Sequence, residues 1–397
     1  MTNMNDLKSA RNPVARHVRD MPPSGIRDFF EIVSTMKDVI SLGIGEPDFV
    51  TPWHIREAAI YSLERGITSY TSNLGLLKLR QALAAYVDRV FHVRYKPENE
   101  ILITVGVSEA LDLALRAIIE PGDEILYHEP CYVSYSPIIT FAHGIPVRVE
   151  TRAEDGFRLT PAMMAERITP RTRALLLNFP NNPTGAGLSR EDLLGIADLA
   201  QQHDLIVIAD DIYAELTYDG VHTSIASLPG MKQRTIFLHG FSKSWAMTGF
   251  RLGYACAPPD LVGAMMKIHQ YTMLCAPITS QEAALEALKR ADEDIAAMRE
   301  EYRRRRNLIA ATFHDLGIPC VTPQGAFYVF PDIRQFGLSS RDFAYKLLDE
   351  EKVAVVPGTA FGPCGEGFVR CSYATAMADI KEALLRIERF TRRLAKT

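Results

Sequence analysis

An alternation running from about residue 70 to 260 constrains the fold of this chain more than any other feature. Short apolar, β-branched runs take turns with stretches of helical period, the pattern of a parallel sheet covered by helices. Seven runs read as strands: ILITVG (101–106), ILYHE (125–129), IPVRVE (145–150), RALLLNF (173–179), LIVIAD (205–210), TIFLHG (235–240) and LGYACA (252–257). Ahead of them Leu76, Leu79, Leu83, Tyr86, Val87 and Val90 share one helical face; after the first run Ala110, Leu111, Ala114, Leu115, Ile118 and Ile119 share another, stopped by Pro121-Gly122. Ser189 with Asp192 predicts a capping box for a helix ending near His203. Beyond about residue 285 the pattern changes to a long charged helix, GAFYVF at 325–330, a helix at 340–351 and strands near 353–356 and 367–373. That predicts a smaller α+β unit. The first 45 residues are too few to form a domain alone and are expected to pack on it or reach a partner subunit.

Composition narrows the function. With 44 Lys+Arg against 48 Asp+Glu the net charge is −4, and the basic residues are dispersed, so no field for tracking a nucleic-acid backbone is expected. The one dense cluster, Arg303 to Arg306, is expected to be solvated helix faces with local salt bridges. No apolar run approaches the ~18 residues of a membrane span, and the N-terminal stretch lacks the apolar core of a secretory signal. Six cysteines (Cys131, Cys256, Cys275, Cys320, Cys364, Cys371) make no CxxC pair and no zinc-ligand spacing, so no metal site is expected and a reducing cytoplasm with packed thiols is the simplest reading.

In open α/β sheets ligands sit beyond the carboxyl ends of the strands. Gly106-Val107-Ser108 follows a strand and opens a helix, which suits either a phosphate or an ordinary N-cap. NNPTG (181–185) reads as a turn in which Asn182 can present an amide. Asp210 and Asp211 end a very apolar strand, where a carboxylate needs a donor or cationic partner, or serves as a cap; Tyr213 lies within reach of the same ligand. In GFSKSWAMTGFRLGYA, from Gly240, Lys243 follows a strand amid small and apolar residues, a setting that lowers an amine's pKa and makes it a nucleophile. Arg251, eight residues on, supplies a permanent cation able to grip a phosphate by two parallel hydrogen bonds.

Taken together, SLGIGEPDF (41–49), SYTSNLGLLKLR (69–80), NNPTG (181–185), ADDIYAELTYDG (209–220) and FSKSWAMTGFRLGY (241–254) resemble the fold-type I, class I/II pyridoxal phosphate aminotransferases. PQGAFYVFP (323–331) and VAVVPGTAFG through GFVRCSYAT (353–375) extend the resemblance to the C-terminus. MKDVISLGIGEPDF (36–49) and VPGTAFG (356–362) lean toward the subgroup of prokaryotic aromatic amino acid aminotransferases. The resemblance implies an α/β fold: a large cofactor domain over 46–285 with a mostly parallel seven-stranded sheet, and a small α+β domain from 1–45 and 286–397. It implies that Lys243 binds the cofactor aldehyde covalently and later moves a proton, and that Asp210 pairs with the protonated pyridine nitrogen. Tyr213 and Asn182 match the residues that hydrogen-bond the phenolic oxygen, Tyr132 the aromatic that stacks on the ring, and Val107, Ser108 and Arg251 the phosphate cup. Tyr70 matches a tyrosine given to the phosphate by a neighbouring subunit, which implies a homodimer. Arg370 matches the arginine that takes the substrate α-carboxylate, and Gly45 the backbone that approaches it closely.

Two departures bear on specificity. Gly240 stands where the family often has Ser, and Ser108 where some aspartate-specific relatives have Lys. No arginine lies between Met266 and Gln281, the region from which other relatives take a cation for a distal carboxylate, although Arg27 offers one elsewhere. The expected activity is therefore ping-pong transfer from an L-amino acid, aromatic or mixed, to a 2-oxo acid such as 2-oxoglutarate. Aspartate, alanine or N-acetyl-diaminopimelate specificity stays open, and a carbon–sulfur β-lyase is the rival on the same fold. The non-enzymatic rival, the sensor domain of certain transcription regulators, would carry a basic winged-helix domain ahead of SLGIGEPDF, where only about forty residues stand.

Overall fold

The computed structural model describes residues 12–22 and 36–395. Its strands in chain order are β1 (Ile40–Ser41), β2 (Ile101–Thr104), β3 (Glu124–Glu129), β4 (Ile145–Glu150), β5 (Thr172–Leu177), β6 (Ile206–Asp210), β7 (Thr235–Gly240), β8 (Gly253–Cys256), β9 (Tyr328–Val329), β10 (Val353–Ala354), β11 (Val356–Pro357) and β12 (Val369–Ser372). All seven runs expected to be strands form one sheet, in the order β2-β8-β7-β6-β5-β3-β4. Only β8 runs against its neighbours; the rest are parallel. β2, β3, β7 and β8 are buried along their whole length, as a sheet covered on both faces requires. β4 is the least buried and sits at the sheet's edge, where Pro146, which has no amide hydrogen to give, is tolerated.

The helix at Gly106–Ile118 buries Ala110, Leu111, Ala114, Leu115 and Ile118, and Leu113 besides. The earlier helix, Leu77–Phe91, turns Leu79, Leu83, Tyr86 and Val87 inward. Ser189 caps the helix Arg190–Gln202, and the reciprocal bonds of a capping box with Asp192 are both present.

The C-terminal third builds an antiparallel sheet β11-β12-β9, with β1 paired to β10 in parallel. Its core includes Tyr302, Ile309, Phe327, Leu347, Ile380 and Phe390, and Leu42 from the N-terminal side joins it. The short helix Arg16–Arg19 lies elsewhere, with His17 edge-on to Phe141 beside the large sheet. The charged stretch after residue 285 forms one helix, Ala291–Asp315, separated at Arg290 from the preceding helix Ile278–Lys289.

The arginine cluster needs a correction. Arg303 and Arg304 are solvated, but Arg305 and Arg306 are buried. Arg305 grips both oxygens of Asp48 at 2.8 and 2.9 Å and bonds Glu301; Arg306 pairs with Asp219 and donates to the Pro323 carbonyl at 3.0 Å. Four successive residues on a helix sweep around most of its circumference, so a helix packed on a core must turn some of them inward. Once inward, a guanidinium requires carboxylate partners, and both are supplied from distant segments.

Candidate active site

The sheet topology delivers the chemistry to one edge. β6 ends at Asp210, and parallel β7 ends at Gly240 on the same side. The chain then loops out and returns antiparallel as β8, with Gly240 opposite Gly253, so Lys243 and Arg251 both lie in the loop at that edge. β2 runs parallel to β7 through β8 and so opens the helix Gly106–Ile118 there too. The resulting cavity, about 390 Å³, is lined by Gly45, Val107, Ser108, Tyr132, Asn182, Asp210, Tyr213, Lys243, Arg251 and Arg370 among others.

Asp210 is buried and accepts from the Tyr135 hydroxyl at 2.8 Å and the Ile212 amide at 3.4 Å. Burial pushes its pKa up to about 6, and these two donors only partly offset it. Asn178 holds the same turn: its amide donates to the Asp210 carbonyl at 2.8 Å while its oxygen accepts from the Asn182 amide at 3.3 Å. The Lys243 ammonium donates to the Gly45 carbonyl at 2.7 Å. Burial lowers its pKa to about 8; Glu46 opposes the shift, and Arg370 and Arg251 add to it. A good fraction of this amine is therefore neutral near pH 8, the state a nucleophile needs.

At the helix opening, Gly106 has φ +73, and a Cβ there would sit 2.8 Å from the Arg251 guanidinium. Glycine thus lets the guanidinium approach the backbone amides that begin the helix, and those amides have no partner within it. Arg251 itself adopts a left-handed conformation, φ +50, and donates to the Thr248 carbonyl at 3.1 Å.

On the opposite wall β12 presents Arg370, buried between the rings of Tyr328 (4.5 Å) and Phe361 (4.7 Å). It donates to Asn182 Oδ1 at 2.9 Å and to the Gly43 carbonyl at 2.6 Å, while its Nε is buried with no hydrogen-bond partner among the described residues. The Tyr213 and Tyr328 hydroxyls lie 3.0 Å apart. A Cβ on residue 45 would come within 2.6 Å of the Tyr328 hydroxyl, which accounts for glycine there.

This convergence has a counterpart in known proteins: the description "Aminotransferase class I and II" matches residues 37–387. The chain belongs to that family. The aminotransferase is 54% identical to the putative aminotransferase YugH of Bacillus subtilis, over 94% of this chain and 97% of that one. It is 47% identical to an aspartate aminotransferase of Pyrococcus abyssi, over 93% and 96% of the two chains. The crystal structure of an aromatic aminotransferase from Pyrococcus horikoshii superposes with a TM-score of 0.88, at 46% identity over 93% of this chain and 100% of that one.

Class I and II aminotransferases use pyridoxal phosphate, and the cavity fits it. A buried carboxylate with a raised pKa suits a cationic ring nitrogen, an amine of lowered pKa suits an aldehyde, and helix amides beside Arg251 suit a phosphate. Of the residues to which the resemblance gives a role, Tyr70 alone stands away from this cavity, 82% exposed; Asp211 lies off it too. Tyr132 lies at the mouth, against Tyr135 with ring centres 5.6 Å apart. Arg27 falls outside the described residues. Sequence reasoning missed Tyr135, Asn178 and Tyr328. Tyr135 stands three residues past Tyr132 and Asn178 just past β5, so spacing could have found both. Tyr328 lies inside the quoted PQGAFYVFP, but nothing local marks its ring as facing the cavity.

Proposed function

We propose that this aminotransferase moves the amino group of an L-amino acid with an aromatic or mixed side chain to a 2-oxo acid such as 2-oxoglutarate, in two ping-pong half-reactions at one cavity. The observation that carries the reading is the meeting of Asp210, Lys243, Arg251 and Arg370, from separate segments, around that cavity. Pyridoxal phosphate supplies an aldehyde for the amino group and a ring that draws electrons from the substrate Cα. Asp210 holds the ring nitrogen protonated, Tyr132 covers the ring face, and Tyr213 with Asn182 donates to the phenolic oxygen. Val107, Ser108 and Arg251 hold the phosphate. Arg370 would orient the substrate through its carboxylate, with Gly45 allowing close approach, and Lys243 would then take the proton from Cα and deliver it to the cofactor's former aldehyde carbon, the reverse transfer completing the second half-reaction.

Specificity follows from the charges left over. Among the described residues the cations lining the cavity are Lys243, Arg251 and Arg370, each already engaged in this scheme, and Leu111, Tyr132 and Ile138 supply apolar wall. A distal carboxylate finds no fourth cation among the described residues of this cavity. The second reading, aspartate as donor, draws on the Pyrococcus abyssi relative.

We also propose a homodimer built on the exposed Trp53, Ile60, Tyr61, Leu63 and Tyr271, with Tyr70 reaching the partner's phosphate site. In each subunit, residues 46–285 form the cofactor domain and the chain ends, apart from the short helix Arg16–Arg19, the small one, a division supported by the pairing of β1 with β10. A solution mass of one chain would overturn the dimer. Specificity is tested by adding single amino acids to the holoenzyme and following loss of the visible cofactor band. Phenylalanine and tyrosine are expected to bleach it at least tenfold faster than aspartate; the reverse order would install the second reading, and pyruvate with ammonia from cystathionine would indicate a lyase.

A further inference from the structure

Tyr328 is fully buried, lines the cavity and touches three parts of the site at once. Its hydroxyl lies 3.0 Å from that of Tyr213, its ring supports the Arg370 guanidinium at 4.5 Å, and the missing side chain of Gly45 makes room for its oxygen. Hydrogen-bond accounting then sets a condition. Each phenol has one proton to give, so of two paired phenols only one can donate to the other. If Tyr213 donates to Tyr328, its proton is spent and nothing remains for the cofactor. If Tyr328 donates, Tyr213 keeps its proton and is polarised into a stronger donor.

We infer that Tyr328 is a positioning residue that donates to Tyr213 and thereby aims the Tyr213 proton at the phenolic oxygen of the cofactor. The inference rests on the proposed role of Tyr213 and names the residue that enforces it. The direction of donation follows from the surroundings. Arg370 stands directly over the Tyr328 ring, and a cation there makes that hydroxyl the more acidic of the two. Burial raises the pKa of both phenols, but Arg370 is the largest influence opposing it at Tyr328, whereas at Tyr213 the neighbouring phenol reinforces it. The other titratable group facing the pair is Tyr132, from the loop after β3, and Arg370 acts on Tyr213 as well, but less than the neighbouring phenol does.

The test uses the holoenzyme. A donor at the phenolic oxygen stabilises the deprotonated form of the lysine-bound cofactor, so weakening that donor raises the pH at which the visible band titrates. Tyr328→Phe keeps the ring under Arg370 and removes only the hydroxyl. It is expected to raise the midpoint by about 0.5 to 1 pH unit, to lower kcat, and to leave KM for the amino donor within about twofold. Tyr213→Phe should raise the midpoint further, and the double variant should match Tyr213→Phe alone, because the relay acts only through that hydroxyl. Gly45→Ala, which pushes on the same hydroxyl from another segment, should raise the midpoint too and serves if Tyr328→Phe folds poorly. A fall or no change in the midpoint in these variants, while Tyr213→Phe still shifts it, overturns the relay and leaves the role of Tyr213 standing. No change in Tyr213→Phe itself overturns both.

Discussion

Two buried carboxylates at the end of the large sheet, Asp210 and Glu215, are only five residues apart, yet their surroundings drive them in opposite directions. Glu215 accepts from the Tyr86 hydroxyl (2.7 Å), the Ser244 hydroxyl (2.8 Å) and His239 Nε2 (3.0 Å). Burial alone would raise its pKa, but His239 first, then Tyr86 and Ser244, hold it below the ordinary range. Asp210 has only Tyr135 and one amide, and its pKa rises to about 6. Burial is common to both, so the difference lies in the partners each is given. Glu215 is a finished structural anion that ties helix 77–91, β7 and the residue after Lys243 together. Asp210 is held in a form suited to a cation entering the cavity.

The largest expected effect breaks the finished cluster. Glu215→Ala leaves His239, Tyr86 and Ser244 without their shared acceptor and is expected to cost about 3 to 5 kcal/mol of stability, measurable by urea unfolding; a loss under 1 kcal/mol would dissolve the contrast. Asp210→Asn is expected to do the reverse, keeping the fold while lowering kcat by about ten- to a hundredfold, the worth of a charge-assisted hydrogen bond.

The sign of the pH dependence sharpens the same contrast in cofactor-free protein. A carboxyl whose folded pKa is raised binds more protons folded than unfolded, so Asp210 withdraws stability as pH climbs from the ordinary aspartate value near 4 to about 6. The amount is roughly 3 kcal/mol. Asp210→Asn should therefore gain on wild type across that window and then level off. For Glu215, whose folded pKa is lowered, the sign is opposite: its contribution is present above the ordinary glutamate value and is lost as pH falls through the folded one. A stability difference between Asp210→Asn and wild type that stays flat from pH 4 to 6 would contradict the assignment.

The contrast also explains what the sequence disclosed. Asp210, Lys243 and Arg251 are legible because each stands at the end of an apolar run or in the loop that follows, and a charge in that position is conspicuous one residue at a time. The sheet was legible for the same reason, with β-branched runs of strand length separated by helical period. Glu215 with His239, and Tyr213 with Tyr328, acquire meaning only as pairs joined across separate segments, the latter 115 residues apart. Arg305 and Arg306 illustrate the same limit. Their burial depends on Asp48 and Asp219, which no local pattern connects to them.

The account stands most directly on Lys243. Reducing the holoenzyme with borohydride and mapping its peptides should place the cofactor, as a stable adduct, on the peptide that carries Lys243, with none on Lys243→Ala. An adduct on another lysine, or its survival in Lys243→Ala, would contradict the site described for this aminotransferase.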